Sequence, residues 1–506
     1  MRRQPRAACP IGRAALNPSG PCVPSAWIWH HVFKRSRPHC LKENGMFVPA
    51  RPFRRPASVV VGAAFMVAAA GYAPALAQPR AIAAEGLIYD LKHPDANRRQ
   101  NAVHELGVAK YAPAIPDLAP LASDPDLSVR RELELALEQM EDIRVLPSLV
   151  QLGGDTDKDI RLRSVHALVN LYLVRNTGPG AALTKFGNFI NPWAEELPDT
   201  VIDGDVAVDP SVVTVLRART SDPELKIRRS ASRGLGVLTA EAAIPELLAA
   251  LREDRDDQVR IEAVRALRKI GDPSVGSNLL PLLNLNNDKV RNETIATLAK
   301  LRYQGAVAEL TRLFEQSKPT DPLRTLSLSA LADIADPSSR SLFERFTADK
   351  SADLRLYADE GLARLADPKT QPAVTADRLV EKDARVRTAQ AFALARMGQP
   401  EYIDELIRGI SRQDTRALAK EYLAETLPAD RPLLFAKRDK NPIVRAELAD
   451  VFGVMGDPAA VPALQEMTHD ADSNVVHAAE RALRRLNARQ GEGAPEREAP
   501  RPPVAP

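Results

Sequence analysis

The sequence predicts an all-α chain: a right-handed α-solenoid of about twelve helix pairs with one irregular insertion. Three observations predict it. First, a nine-residue phrase, Val259-Arg260-Ile261-Glu262-Ala263-Val264-Arg265-Ala266-Leu267, returns along the chain, for example as Val386-Arg387…Ala393-Leu394 and Val444-Arg445…Val451-Phe452. Second, its arginines are Arg99, Arg130, Arg161, Arg228, Arg260, Arg291, Arg324, Arg355, Arg387, Arg416 and Arg445, spaced by 29 to 33 residues except for one step of 67. A fixed period near 31 marks a stacked repeat array, in which each unit packs only on its neighbours. Third, each period holds two segments with apolar residues at helical spacing, such as Ile244, Leu247, Leu248 and Leu251 in the first.

The elements follow in order. Residues 1–45 are Pro-, Arg- and His-rich and aperiodic, and we expect them to be an upstream extension, with Met46 the true start. Residues 46–77 have the design of a cleaved signal peptide. Arg51, Arg54 and Arg55 form the basic region, Ala57 to Ala70 the apolar run, and Ala75-Leu76-Ala77 the small-residue site, with cleavage before Gln78. The apolar run is short for a transmembrane helix. The expectation is a periplasmic or secreted protein with no membrane span after cleavage. Cys9, Cys22 and Cys40 all precede Met46, so the mature chain is expected to have no disulfide and no thiolate chemistry.

Residues 78–173 hold repeats one to three. Within each, an Asp-rich turn such as Ser123-Asp124-Pro125-Asp126 separates the two helices, because Asp and Asn satisfy the free N–H groups of a helix start. A Gly/Pro connection such as Gly271-Asp272-Pro273 leads to the next unit. Residues 174–209 are the insertion, the extra material in the step of 67. It carries Phe186, Phe189 and Trp193, and then Thr200 to Val208, where an Asp-Gly turn between β-branched residues suggests a small hairpin. Its aromatics either meet a partner or cover neighbouring helices. Asp203, Asp205 and Asp209 lack the bidentate Glu and spacing of a calcium loop. Asp209-Pro210 restarts the array, and 210–487 holds repeats four to twelve. In the last, Val476 replaces the arginine, as suits a capping unit with no following neighbour. Residues 488–506 are a Pro-rich tail.

The recurring Asp-turn-Val-Arg-x-x-Ala-x-x-Ala-Leu phrase, over roughly residues 82–487, resembles the HEAT-repeat family, in particular its bacterial branch named after phycobilin lyases. The resemblance implies an α-solenoid whose second helices line the concave surface. It implies no single function, since that fold serves scaffolds, lyases and hydroxylases alike.

The repeated arginine stands four residues after a turn acid in Asp95/Arg99, Asp126/Arg130, Asp157/Arg161, Asp256/Arg260 and Asp383/Arg387. Stacking is expected to align these into a structural Asp–Arg ladder, with guanidinium forks on turn carboxylates and carbonyls. One and five residues past each arginine, side chains should point away from the core. The position at five reads His104, Leu135, His166, Arg233, Arg265, Ala296, Ser329, Glu360, Ala391, Glu421 and Asp450, and the position at one adds Arg131 and Arg229. This row runs from cationic to acidic, which suggests a bipolar groove that orients an extended protein or peptide partner. His104 and His166 lie two units apart, roughly 20 Å, and cannot share a metal ion.

Composition narrows the function. Of 69 Lys+Arg and 66 Asp+Glu, eleven and one lie in residues 1–77, leaving 58 against 65, a net charge of −7. An acidic body does not suit a nucleic-acid binder. HEAT-repeat hydroxylases hold two irons with His-Glu pairs directly after the arginine. Here those positions read Arg131-Glu132, Ile261-Glu262 and Asn292-Glu293, and the one His-Glu pair, His104-Glu105, is displaced. No catalytic residue, metal ligand or cofactor is therefore assigned. The expectation is a monomeric, non-enzymatic scaffold, with a lyase-like or hydroxylase-like enzyme as the alternative.

Overall fold

The structure is a computed structural model that describes residues 78–175, 201, 202, 206–426 and 439–491. The expected extension and signal segment lie outside the described residues, as do Phe186, Phe189, Trp193 and residues 492–506 of the expected tail, whereas 488–491 continue the last helix, Ser473–Gly491. All described residues fall in one unit, Tyr72–Pro506. Among them the secondary structure is helical throughout, with no strand.

Twelve second helices, from Ala96–Val108 to Ser473–Gly491, stack each on the next in chain order. Most begin where an Asp, Asn or Ser of the turn takes the first free N–H groups, while Leu225–Val237 and Arg416–Glu425 start without a side-chain cap. Asp95 accepts from Asn97, Asp126 from Ser128, Asp256 from Gln258 and Asp383 from Arg385 and Val386. Several end on a left-handed residue. Gly271 and Gly456 fill this role as the sequence suggests, but Ala335 and Ala366 adopt it too, at φ 52° and 50°. The first helix of a pair is usually shorter and opens with a 3₁₀ turn, as in Glu241–Ala243 before Ile244–Glu253. Proline then sits in its first turn, where no N–H partner is lost.

Apolar side chains fill the seam between units. Val129, Val259, Val290, Val386 and Val444, each just before a phrase arginine, are buried, as are Leu133, Leu137, Leu267, Leu298 and Leu394. Some neighbouring second helices approach closely. A Cβ on Gly236 would sit 2.6 Å from the Ala266 backbone, and one on Gly453 2.9 Å from that of Ala482.

The arginine ladder exists, but its acids are not those the sequence spacing suggests. Asp95, Asp126, Asp157, Asp256 and Asp383 cap their own helices. The guanidinium instead reaches the next repeat and takes the acid that stands two residues before the cap. Arg99 forks onto Asp124, Arg130 onto Asp155, Arg161 onto Asp222, Arg228 onto Asp254, Arg355 onto Glu381 and Arg445 onto Asp470. The donor–acceptor distances run from 2.7 to 3.3 Å. The remaining Nη1 donates to carbonyls of its own turn, such as His93, Asp155, Asp222 and Asp439. Each rung thus joins two turns. The reason is direction: a helical side chain leans back toward its N-terminus and across to the facing turn.

The ladder lapses in mid-chain. Counted six residues before the next phrase arginine, as Asp124 stands before Arg130, Leu285 and Lys318 occupy the acid positions for Arg260 and Arg291. These arginines turn to Asp257 (3.4 Å) and Asp288 (2.6 Å), and their buried Nε atoms have no partner. Arg324 bonds the Phe314 and Ser317 carbonyls and lies over the Phe314 ring. Ile410 stands where an acid for Arg387 would, and Arg416 bonds the Ile410 carbonyl. Restoring a rung tests the scheme. Leu285→Asp is expected to stabilise the chain by about 1 kcal/mol, the worth of a charge-assisted fork. The check is the midpoint of urea unfolding, with Leu285→Asn as a control that should gain less.

The insertion leaves the stack unbroken. Helices Lys158–Arg175 and Leu225–Val237 are neighbours, and the Arg161–Asp222 rung closes across the gap in sequence. The hairpin expected at 200–208 is not seen: residues 201, 202 and 206–208 are not strand. Ile202 is instead buried and donates its N–H to the Val237 carbonyl at 2.9 Å. Asp209 caps helix Pro210–Arg219, and its own N–H goes to the Tyr172 hydroxyl.

Candidate functional site

The aligned second helices present one continuous face. The position five residues past each arginine is on it, but its charges are already engaged with the next helix. His104 Nδ1 meets Glu132 at 2.8 Å, His166 Nε2 meets Ser230 at 2.9 Å, Arg233 Nε donates to Glu262 at 2.9 Å, and Arg265 donates to Glu293 at 2.6 and 2.9 Å. Near the end, Arg481 donates to Asp450 at 3.2 Å. The row is therefore a second set of inter-repeat links. Three residues of this row expected to project outward do not: Arg233 is 8% exposed, Glu360 5% and Ala391 0%. The cause is proximity, since neighbouring helices shield each other's flanks. Arg131 does stand out into solvent and donates to Asp157 at 2.7 Å.

A cationic centre lies on helices Leu225–Val237 and Asp257–Ile270. Glu262, 2% exposed, takes two bonds from Arg233 and one from Arg265, with Arg229 4.0 Å away. Glu293 on the following helix takes Arg265 and Arg268. Four guanidiniums thus converge on two carboxylates. Burial lowers the His166 pKa to about 4, and the Arg233 charge adds to this, so the imidazole beside the centre is neutral at physiological pH.

An acidic centre lies on helices Pro322–Ile334, Ala352–Leu365 and Arg416–Glu425. Arg364, almost fully buried, sits among four carboxylates: Asp333 at 3.1 Å, Glu360 at 3.4 Å, Glu421 at 3.1 Å and Glu425 at 3.0 Å. Glu360 also accepts from the Tyr422 hydroxyl, and the Tyr422 ring stacks on Phe392 at 4.5 Å. Burial raises the Glu360 pKa to about 7, against the pull of Arg364. The Glu421 side chain is 55% exposed and opens the cluster to solvent. Of this centre the sequence reading found Glu360 and Glu421. Asp333, Arg364 and Glu425 each stand nine residues past a phrase arginine, a regularity that counting at that spacing would have revealed.

Two fully buried acids, Glu134 and Asp359, belong to neither centre. Glu134 is fully buried and neither oxygen has a hydrogen-bond partner. Equivalent positions hold Val103, Val165, Val264 and Leu328. Burial raises its pKa to about 8 from an ordinary 4.5; Glu138 adds to this and Arg163 opposes it. The folded state therefore keeps a proton that the unfolded chain has lost. Over that window stability falls as pH rises from the unfolded to the folded value. Glu134→Leu is expected to flatten this slope and to stabilise the chain by about 2 kcal/mol at its upper end, by removing an unpaired buried charge. Thermal melts across the window check it.

The glutamates that follow the arginine directly are spoken for. Glu132 pairs with His104, Glu262 with Arg233, and Glu293 with Arg265. Among the described residues no group of three or more His, Cys, Asp or Glu side chains is placed to hold a metal ion. No described helix is long and apolar enough to cross a membrane.

The chain is similar to several known proteins. A family model described as HEAT repeats matches residues 84–169, 213–293 and 430–496. Deoxyhypusine hydroxylase of Bos taurus is 25% identical over 281 residues, which cover 54% of this chain and 80% of that protein. Among solved structures, a chain of the Kap95:Nup1 complex is 15% identical with a TM-score of 0.40, covering 82% of this chain and 63% of that one. A chain from a structure of the interaction between cadherin and beta-catenin is 12% identical with a TM-score of 0.37, covering 81% and 99%. An engineered protein is 20% identical with a TM-score of 0.35, covering 80% and 98%.

Proposed function

We propose that this chain of HEAT repeats is an exported, non-enzymatic scaffold that holds an extended protein or peptide along the face of its second helices. The observation that carries the reading is the pair of opposed charge centres on that one face. They are three second-helix layers apart from Arg265 to Arg364, about 30 Å, which an extended segment of about nine residues spans. Such an arrangement selects orientation as well as composition. The signal-like segment 46–77 supports export. The insertion is the second specificity element. Its returning end packs on Val237, one turn beyond Arg233, and its aromatics Phe186, Phe189 and Trp193 suit a hot spot. The Asp-turn-Val-Arg phrase supports a resemblance of these repeats to the phycobilin-lyase-like branch.

Selection of a displayed random-peptide library on the full-length chain tests the reading. Enriched peptides should carry charges of opposite sign at their two ends in one consistent order. Enrichment without charge order would remove the basis for the groove. The likeness to bovine deoxyhypusine hydroxylase favours a second reading, an iron enzyme. The donor set does not fit it, because Glu132, Glu262 and Glu293 follow Arg131, Ile261 and Asn292 rather than histidines and serve as ion-pair partners. Stoichiometric iron in the purified protein would reinstate that reading.

A further inference from the structure

We infer that the two consecutive rungs missing from the arginine ladder, at Arg260 and Arg291, form a docking site for carboxylates of an extended acidic segment of a partner protein. The inference takes the class of partner from the scaffold reading but does not use the charge centres of the second-helix face. The six filled rungs supply the template. In each, the arginine turns its Nε and Nη2 edge to a carboxylate of the next repeat and keeps Nη1 for carbonyls of its own turn. At Arg260 and Arg291 the acid positions carry Leu285 and Lys318. Arg260 then donates from Nη1 alone, at 3.4 Å to Asp257, and Arg291 from Nη2 alone, at 2.6 Å to Asp288. Both Nε atoms are left without an acceptor. The two stand-in pairs are local and partly exposed, with side chains 25% and 44% exposed in the first and 19% and 74% in the second. Pairs of that kind hold their arginines weakly, so an incoming carboxylate can take the fork edge. At the Arg291 rung the charge is reversed outright, because an exposed lysine stands where a filled rung has its acid.

The gap is two rungs long. Before it, Arg228 is held by Asp254; after it, Arg324 donates to the Phe314 and Ser317 carbonyls and lies over the Phe314 ring. Successive second helices stand about 8–10 Å apart. In a polyproline II segment, residues three apart share a side at a spacing of about 9 Å, so an acid at every third position meets both arginines. An open groove of about 660 Å³ lies between the two turns that the Arg260 rung would have joined. The Gln258 and Asn286 amides on its walls can donate to and accept from a peptide backbone. Asp256, Asp257 and Asp288 line the same groove. They would repel a continuous phosphate backbone, which favours separated carboxylates over a nucleic acid.

The test is fluorescence anisotropy of a fluorescein-labelled peptide of three Glu-Pro-Pro units with the full-length chain. The wild type is expected to bind it and not to bind the matching Lys-Pro-Pro peptide. Leu285→Asp supplies the missing acid of the Arg260 rung from within the chain, at high effective concentration. It keeps both arginines, and it should weaken peptide binding by about ten-fold or more while raising the midpoint of urea unfolding. Arg260→Gln and Arg291→Gln should each weaken binding too. Asn284→Asp, which places the same charge one residue off the rung position, should leave binding nearly unchanged. Absence of Glu-Pro-Pro binding, unchanged binding by Leu285→Asp, or equal weakening by Asn284→Asp overturns the inference. So does an oligothymidylate that binds more tightly than the peptide and whose binding Leu285→Asp abolishes. If the peptide fails while the displayed library still enriches charge-ordered peptides, this site is wrong and the scaffold stands. If neither binds, both fall.

Discussion

Replacing Asp222 with alanine is expected to cost about 3–5 kcal/mol, because it strips the partner from a buried guanidinium. Arg161 and Asp222 form the most buried rung of the ladder, with side chains 9% and 0% exposed. Asp222 takes two bonds from Arg161, one from Arg219 and one from the Glu224 N–H. The rung is also the one that closes across the insertion, so repeats three and four depend on it more than other neighbours do. Burial pushes the Asp222 carboxyl up, but Arg161 and the Glu224 N–H outweigh this and hold it below the usual carboxylate range. A depressed acid contributes stability above its unfolded pKa and loses it as pH falls through the folded value. The gap between wild type and Asp222→Ala should accordingly be full at neutral pH and close in strong acid. In a solenoid the damage is local. Hydrogen exchange should show residues 96–175 opening before the C-terminal repeats, and uniform loss of protection along the chain would contradict the rung's role as the joint.

How much of this was legible beforehand depended on whether one helix or two decided a feature. The phrase arginines, the capping acids and the restart at Asp209-Pro210 are set within single elements, and all stand where periodicity put them. The ladder's partner is set between elements. In Asp124-Pro125-Asp126 both acids are visible in the sequence, and the nearer one to Arg130 is the cap, while the farther one serves Arg99. Counting forward from each arginine by 25 or 26 residues finds Asp124, Asp155, Asp254, Glu381 and Asp470; counting back by four does not. The face of the second helices was misjudged for a related reason. A helical wheel treats each helix alone, so it sent Arg233 and Glu360 to solvent, whereas an adjoining helix covers each of them.

Arg364→Met is the second substitution with a large expected effect, also about 3–5 kcal/mol near neutral pH. A methionine fills much of the arginine stem's volume, so the loss isolates the charge. What remains is Asp333, Glu360, Glu421 and Glu425 crowded together, with Arg302 reaching only Glu425, at 3.3 Å. Glu360 keeps its bond from Tyr422, which is too little for a buried carboxylate. Burial already raises the Glu360 pKa to about 7 in the presence of Arg364, and removing the guanidinium can only raise it further. The folded variant would then bind protons that its unfolded chain releases, so its stability falls with rising pH across the window between the two values. The deficit should be largest above pH 7 and shrink as the carboxylates protonate in mild acid. This is the reverse of Asp222→Ala only in mechanism: there acid removes the wild type's advantage, here it relieves the variant's burden. Arg364→Lys, which keeps a charge but not the fork, should fall between. Thermal melts of the three proteins over the same pH range decide it, and a deficit in Arg364→Met that does not change with pH would mean the arginine matters as packing rather than as the counter-charge of the acidic centre.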